Sequence, residues 1–201
     1  MGKLITVIGP SGVGKTALVR ALAKEHDFVT ALEGHDERPF QKLFKQDARW
    51  GLANQIDYFL LRAEQERTLR ASSQVGLIDG GLDLDYHGFA RLFHMRGLLT
   101  GPEFDLCGRL YETLRSLMPL PELIVRLRAD DETVAGRLSE RERINIASAE
   151  DFALFESFIE DWLVTLDPVR ILEVDVTEND PGYAHIVPLL VAGIIDRFGT
   201  I

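Results

Sequence analysis

The feature that most constrains the fold is a glycine-rich segment between a short apolar run and a helix-forming stretch. The apolar run is Leu4–Ile8, and the segment after it reads Gly9-Pro10-Ser11-Gly12-Val13-Gly14-Lys15-Thr16, a full match to G-x-x-x-x-G-K-[ST]. Its glycines let successive backbone N–H groups point inward at phosphate oxygens, and the N-terminus of the next helix adds positive potential. Lys15 is then expected to reach the terminal phosphates of ATP, and Thr16 to ligate Mg²⁺. The alternative is a glycine-rich turn that holds no ligand.

Short apolar runs alternate with longer helical patterns along the rest of the chain. The strand candidates are Leu4–Ile8, Phe28–Leu32, Val75–Ile78, Leu123–Leu127 and Ile171–Val174. The helical candidates are Lys15–Lys24, Gly51–Ala71, Tyr86–Met95, Pro102–Leu117, Asp131–Ser139, Glu150–Val164 and Gly182–Phe198. This alternation predicts parallel βαβ units with right-handed crossovers. We therefore expect an α/β, three-layer P-loop NTPase fold: a parallel, mainly five-stranded sheet with helices on both faces, forming one domain over residues 1–201.

Charge and composition narrow the class of protein. The formal net charge of −10 argues against a nucleic-acid-binding protein, because such a chain does not neutralise a run of phosphates. No apolar run reaches the ~18 residues of a membrane span. The single cysteine, Cys107, cannot form an internal disulfide, and the amino terminus has no signal-peptide pattern. We expect a cytoplasmic protein without nucleic-acid or membrane partners.

Two acidic residues follow strand candidates, at the edge of the sheet where ligands of open α/β sheets bind. Glu33 follows the second strand and Asp79 follows the third. A carboxylate there is suited to accept a proton from an acceptor hydroxyl or to hold Mg²⁺, and the alternative is a helix cap.

A polar set in the long helical stretch forms the next candidate site. Gln55, Tyr58 and Arg62 share one helix face, which suits recognition of a base edge or, alternatively, forms a solvated face. On another side of this helix, the apolar residues Phe59, Leu60 and Ala63 are expected to pack on the core.

Three arginines near residue 140 form a further candidate site. Arg137, Arg141 and Arg143 are expected to close over the transferred phosphoryl group as a lid at about residues 137–147. The alternative is a helix end paired with Glu140 and Glu142.

The order and spacing of these residues resemble the deoxynucleoside kinase family over nearly the whole chain. The first part of the resemblance consists of Glu33 and an Arg38-Pro39-Phe40 element. The second is the spacing on the long helical stretch: five residues from Trp50 to Gln55 and seven from Gln55 to Arg62. The third is the block from Asp79 to Ala90, which aligns with the family's E-R-S…D…FA pattern.

The resemblance implies roles for individual residues. Glu33 would be the general base on the 5′-hydroxyl of a nucleoside acceptor. Gln55 and Asp85, with Arg62 nearby, would bind the base between Trp50 and Phe89, and the chain would form a homodimer. The three arginines would be the family's lid over the phosphates, with Lys15, Arg137 and Arg141 sharing the catalytic work.

The departures from the family gather around the sugar of the acceptor. E-R-S is Asp79-Gly80-Gly81 here, the usual sugar-contacting tyrosine is Phe44, and the lid glutamate is replaced by Ile146. A site that loses hydroxyl partners relaxes or redirects its choice of substrate. The sequence therefore leaves three hypotheses: a kinase whose acceptor is not an ordinary 2′-deoxynucleoside, a P-loop kinase of another small metabolite, and a nucleotide-binding protein with little transfer activity.

Overall fold

A computed structural model of the chain describes residues 2–32, 38–139, 151–178 and 180–199. The strands are β1 (Leu4–Ile8), β2 (Val29–Ala31), β3 (Gly76–Asp79), β4 (Leu123–Arg128) and β5 (Ile171–Asp175). The helices are α1 (Lys15–Glu25), α2 (Pro39–Gln46), α3 (Gly51–Arg70), α4 (Leu82–Leu84), α5 (Arg91–Met95), α6 (Gly101–Leu117), α7 (Asp131–Ser139), α8 (Phe152–Leu163) and α9 (Ile186–Phe198). A π-helical turn, Asp85–Ala90, joins α4 to α5, and short 3₁₀ turns cover Ala48–Trp50, Pro168–Arg170 and Pro181–Tyr183.

The five strands form one parallel sheet in the order β2-β3-β1-β4-β5. β1 is central, and the chain builds β2 and β3 on one side of it before it crosses to β4 and β5 on the other. Ligands of open α/β sheets bind beyond the carboxyl ends of the strands at such a switch point. The glycine-rich segment directly after β1 therefore lies where the topology creates a binding crevice.

Side chains of β1 alternate between the two faces of the sheet, as period-two strand geometry requires. Ile5 and Val7 belong to the core shared with α1 and α9. Ile8 packs on the opposite face with α8, and Leu4 packs there beside Leu69 of α3. All four side chains are almost completely buried, so both faces of the sheet are covered and the predicted three-layer fold is confirmed.

Several predicted elements differ from the observed ones. The strand predictions are correct to within one residue at each end, whereas α2 was not predicted. The helix predicted at Tyr86–Met95 begins earlier, at Leu82, and contains the π-helical turn. The helix predicted from Gly182 begins at Ile186, because Gly182 adopts a non-helical φ of 71°. The prediction that Leu60 packs on the core is wrong: 46% of this residue is exposed, while its neighbour Phe59 is fully buried.

The described residues also bear on the expected absence of a membrane span. None of the helices in these ranges combines the length and the apolar character needed to cross a bilayer.

Candidate active site

The loop between β1 and α1 has the backbone that its glycines permit. Gly9, Gly12 and Gly14 have φ values of 141°, 89° and 112°, a region that side-chain-bearing residues rarely adopt. A Cβ atom at Gly9 would lie 2.7 Å from the carbonyl oxygen of Leu127, and one at Gly12 would lie 2.8 Å from Cγ of Leu138. The loop therefore needs glycine both for its conformation and for its close contact with β4 and α7.

Lys15 and Thr16 begin α1 at the mouth of this loop. The Lys15 ammonium donates hydrogen bonds to the carbonyl oxygens of Gly9 and Pro10, both at 2.9 Å, so it lies across the loop. The Thr16 hydroxyl donates to Oδ2 of Asp79, so the two predicted metal ligands meet at the carboxyl ends of β1 and β3. Within the loop, Ser11 is partly exposed, whereas Val13 is buried in the core.

The Thr16–Asp79 pair fits a magnesium site. Asp79 is fully buried, and its Oδ1 atom has no hydrogen-bond partner among the residues that the structure describes. A carboxylate oxygen left open beside a hydroxyl and a phosphate-binding loop suits Mg²⁺, which binds to one or two carboxylates together with substrate phosphates. The described ranges contain no group of three or more His, Cys, Asp or Glu side chains arranged for a metal.

Two side chains from distant segments hold the carbonyl side of the loop. Arg137 of α7 donates to the carbonyl oxygens of Val13 at 3.0 Å and Val176 at 2.8 Å. The Tyr183 hydroxyl donates to the carbonyl oxygen of Gly14 at 3.1 Å. The predicted lid residue Arg137 therefore lies against the phosphate-binding loop and ties it to the segment that follows β5.

The polar face predicted on α3 is buried, which rules out the alternative that it is a solvated face. Gln55 and Arg62 are each 3% exposed, and Tyr58 is partly buried. The Nε atom of Arg62 donates to Oδ2 of Asp85 at 3.1 Å, so the two base-binding candidates from α3 and the π-helical turn meet in one buried ion pair. Oε1 of Gln55 is also buried and has no hydrogen-bond partner within the described ranges.

Gly80 makes room for this arrangement. It follows β3 directly and has a φ of 82°. A Cβ atom at Gly80 would lie 3.1 Å from Nη2 of Arg62, so the guanidinium reaches the carboxyl end of β3 because residue 80 has no side chain. The position where the resemblance expects an arginine is thus approached by an arginine from α3.

The predicted aromatic residues lie on different elements around this pair. Phe44 of α2 stacks on Phe93 with 4.9 Å between ring centroids, and Phe89 of the π-helical turn contacts Phe155 at 4.8 Å. Trp50 lies directly before α3, is partly exposed, and has the Arg49 guanidinium 5.3 Å from its ring centroid. The partial exposure of Trp50 and Phe89 leaves ring surface open for a ligand.

Three predicted site residues, Glu33, Arg141 and Arg143, lie outside the described residues, so their roles stay predictions.

Sequence reasoning missed Tyr183, which has a φ of 59° and is the one non-glycine residue with a positive φ in the described ranges. The only local signal was its place in a Pro-Gly-Tyr turn after β5. It also missed the buried polar residues behind the Arg62–Asp85 pair, because no spacing rule connects helices that are far apart in the chain.

Comparisons of the chain with family models and with known proteins agree on one family. The family model for deoxynucleoside kinase matches residues 5–183. A deoxyadenosine/deoxycytidine kinase of Bacillus subtilis is 25% identical over 182 residues, covering 88% of this chain and 84% of the relative. A deoxyadenosine kinase of Dictyostelium discoideum is 28% identical over 143 residues, covering 71% of this chain and 58% of the relative.

The fold agrees with that family as well. The structure of deoxyadenosine kinase from M. mycoides with bound dATP superposes with a TM-score of 0.78 at 17% identity, covering 95% of this chain and 98% of that one. The same kinase with its products has a TM-score of 0.76 at 17% identity, covering 96% of this chain and 99% of that one. The chain therefore belongs to the deoxynucleoside kinase family, whose members transfer a phosphoryl group from a nucleotide to the 5′-hydroxyl of a nucleoside.

Proposed function

We propose that this kinase transfers the γ-phosphoryl group of ATP, bound with Mg²⁺, to the 5′-hydroxyl of a nucleoside whose base carries an amino group at C6 of a purine or C4 of a pyrimidine. Deoxyadenosine and deoxycytidine are the substrates that fit best. The observation that carries the proposal is the buried pair of Arg62 and Asp85 on the same side of the sheet as Gln55.

The chemistry of this pair favours an amino-bearing base. An ionised carboxylate only accepts hydrogen bonds, and the Arg62 guanidinium supplies the opposite charge beside Asp85. Adenine and cytosine present amino donors at N6 and N4, whereas guanine and thymine present oxygen acceptors at the corresponding positions. The Gln55 amide both donates and accepts, so it suits the ring nitrogen beside the amino group.

The donor side follows from the loop after β1. Its inward N–H groups and Lys15 would bind the phosphates of ATP, and Thr16 and Asp79 would hold Mg²⁺. When bound, the metal neutralises charge on the phosphate oxygens. Asp79 and Thr16 already lie in hydrogen-bond contact, which keeps both oxygen ligands in place for the ion.

The acceptor proton is assigned to Glu33. β2 runs parallel to β3 with Ala31 level with Ile78, so the chain leaves the sheet at Ala31 close to the level of Asp79. This topology supports a general base at residue 33, which would take the proton as the 5′-oxygen bonds to the γ-phosphorus and ADP leaves. Arg141 and Arg143 are proposed to cover the phosphates. Arg137 would anchor α7, the helix that leads into them, to the loop between β1 and α1.

A coupled assay of ADP release tests the proposal. The four common deoxynucleosides and their ribose counterparts are compared as acceptors, with Lys15→Ala as the inactive control. We expect turnover with deoxyadenosine and deoxycytidine, and a loss of at least about 100-fold in the control. Preference for ribonucleosides would support the hypothesis that the sugar site departs from the family. Binding of ATP without transfer to any nucleoside would instead support a kinase of another metabolite or a binding protein.

We also propose that the kinase is a cytoplasmic homodimer. α3 and α6 pack on each other, and each leaves a leucine partly open: Leu60 is 46% exposed and Leu106 is 41% exposed. Light scattering of the wild-type protein and of Leu60→Glu and Leu106→Glu variants tests this. A dimer that the variants convert to a monomer supports the proposal, whereas a monomeric wild-type protein refutes it.

A further inference from the structure

Behind the Arg62–Asp85 pair lies a buried network of charged and polar groups that the proposed reaction does not use. We call Glu66, Asp83, Tyr111 and Arg115 the support network. Arg115 of α6 donates to both carboxylate oxygens of Glu66 at 3.0 and 3.2 Å, and to Oδ2 of Asp83 at 3.1 Å. The Tyr111 hydroxyl donates to Oδ1 of Asp83 at 2.9 Å. One guanidinium and one phenol from α6 therefore hold two carboxylates from two other elements.

Each of these carboxylates is next to one member of the base-binding pair. Glu66 lies one helical turn after Arg62 on α3, and Asp83 lies two residues before Asp85 at the start of the π-helical turn. Because Arg115 bonds to both carboxylates, it fixes the distance between α3 and the segment that carries Asp85. The geometry of the Arg62–Asp85 pair depends on that same distance.

Burial makes this network costly as a purely structural device. The side chains of Glu66 and Asp83 are 2% and 4% exposed, and Arg115 is 11% exposed. Burial of so many charged groups carries a desolvation penalty, and well-packed apolar side chains often hold helices together equally well. Hydrogen bonds are directional, however, so the four bonds from Arg115 and Tyr111 to Glu66 and Asp83 impose a defined geometry, which a non-directional apolar contact does not. Nε of Arg115 is buried and has no hydrogen-bond partner among the described residues. A requirement for defined geometry exists where a base edge is read by hydrogen bonds.

We propose that Tyr111 and Arg115 are positioning residues for recognition of the acceptor base. They act through Asp83 and Glu66 to hold Asp85 and Arg62 in register, and this inference rests on the function proposed above. Tyr111 sets the position of Asp83, and with it the first turn of the segment that presents Asp85. Arg115 sets the spacing of that segment from α3.

The test uses Tyr111→Phe, which removes a single hydroxyl and keeps the stacked ring that packs on Tyr86. Kinetics are measured with deoxyadenosine and with its analogue that lacks the 6-amino group, over a range of ATP concentrations. We expect the KM for deoxyadenosine to rise about five- to tenfold while the KM for ATP changes by less than about twofold. The preference for deoxyadenosine over the analogue should fall by a similar factor, which a merely structural role would not produce. Asp83→Asn is the second variant and should change the same two quantities.

The matched control comes from a different buried arginine. Arg126 of β4 is held by Glu156, Glu160 and Glu173. Glu156→Gln removes one charge from that cluster, and we expect it to lower the midpoint of urea unfolding without changing the preference for the amino group. Calorimetry of deoxyadenosine binding to each protein gives a readout that does not require turnover.

The outcomes separate the inference from the proposed function. If the wild-type protein acts on deoxyadenosine, and Tyr111→Phe and Asp83→Asn keep its KM and its preference for the amino group, the positioning role is refuted and the proposed function stands. If the control and the test variants lose preference equally, the effect is a general loss of stability and the inference is again refuted. If the wild-type protein neither binds nor phosphorylates an amino-bearing nucleoside, the proposed function fails first and the inference fails with it.

Discussion

His87 should make the stability of this kinase depend on pH between neutrality and pH 5. Its ring lies parallel to Trp162, with 5.1 Å between centroids, and Nε2 lies 3.1 Å from the Tyr111 hydroxyl oxygen. Because the Tyr111 proton is donated to Asp83, this oxygen accepts from His87, which makes Nε2 the protonated nitrogen of a neutral ring.

The surroundings of His87 oppose its protonation. Burial, together with the nearby guanidinium groups of Arg91 and Arg115, lowers the pKa of His87 from 6.5 to about 4. The carboxylate of Asp83 lies beyond Tyr111 and does not bond to the ring directly. His87 therefore stays neutral in the folded protein over a pH range in which the unfolded chain binds a proton.

The size and sign of the effect follow from these two pKa values. The folded value is the lower one, so the unfolded state binds more protons between pH 6.5 and 4 and the free energy of unfolding falls as the pH falls. Between pH 7 and pH 5 the linkage relation gives a loss of about 2 kcal/mol from this single group. Near and above pH 7 the contribution levels off, because the ring is then mostly neutral in both states.

The assay is urea unfolding of the wild-type protein and of His87→Phe at pH 7, 6 and 5. Phenylalanine keeps an aromatic ring on Trp162 but cannot titrate, so the variant should lose about 2 kcal/mol less than the wild type between pH 7 and pH 5. All other acidic and basic groups remain in both proteins, and their contributions cancel in the comparison. His185→Gln, at an exposed position, serves as the matched control and should follow the wild type. Equal losses in the wild type and in His87→Phe would refute the reasoning.

Three further substitutions test the site. Asp79→Asn should lower kcat at saturating Mg²⁺ by about 100-fold or more while ATP binding is retained, because a carboxylate ligand of the proposed metal site is lost. An unchanged kcat would show that Asp79 is not a metal ligand. Tyr183→Phe loses the hydrogen bond to the carbonyl of Gly14, so the KM for ATP should rise about three- to fivefold with the KM for nucleoside unchanged, and an effect on the nucleoside alone would contradict this. Gly12→Ala places a Cβ atom 2.8 Å from Cγ of Leu138 at a φ of 89°, so urea unfolding should show a loss of about 2 kcal/mol, and wild-type stability would count against the strained loop.

The fold and the glycine-rich loop between β1 and α1 were predictable because their signals are local. The run from Leu4 to Ile8, the glycines after it and the Lys15-Thr16 pair are adjacent in sequence, and adjacent residues fix their own backbone geometry. The Gln55–Arg62 spacing likewise placed both residues on one face of α3, since helix periodicity relates neighbours along one element. The structure also shows that this face is buried.

The errors occur where packing overrides a local pattern. Leu60 is apolar and therefore looks like a core residue in the sequence. It lies on the side of α3 that faces away from the sheet, so a large part of the Leu60 side chain stays exposed. The π-helical turn at Asp85–Ala90 rotates the residues after it relative to an α-helix, and no sequence rule predicts this extra residue in the turn. α2 has only eight residues and none of them is buried. Its apolar residues do share one side, but a pattern of about two turns is too short to separate a helix from a loop by periodicity.

The sequence by itself determined the parallel α/β architecture and the position of the glycine-rich loop after β1. Only the tertiary structure decided which side chains meet. Arg62 and Asp85 are 23 residues apart, Glu66 and Arg115 are 49 apart, and Tyr183 and Gly14 are 169 apart. Such pairs depend on how helices and loops pack on the sheet, and a shift of one residue in any of these elements would direct the side chain to a different neighbour. Periodicity describes each element separately, whereas the Arg62–Asp85 pair and the support network form only between elements.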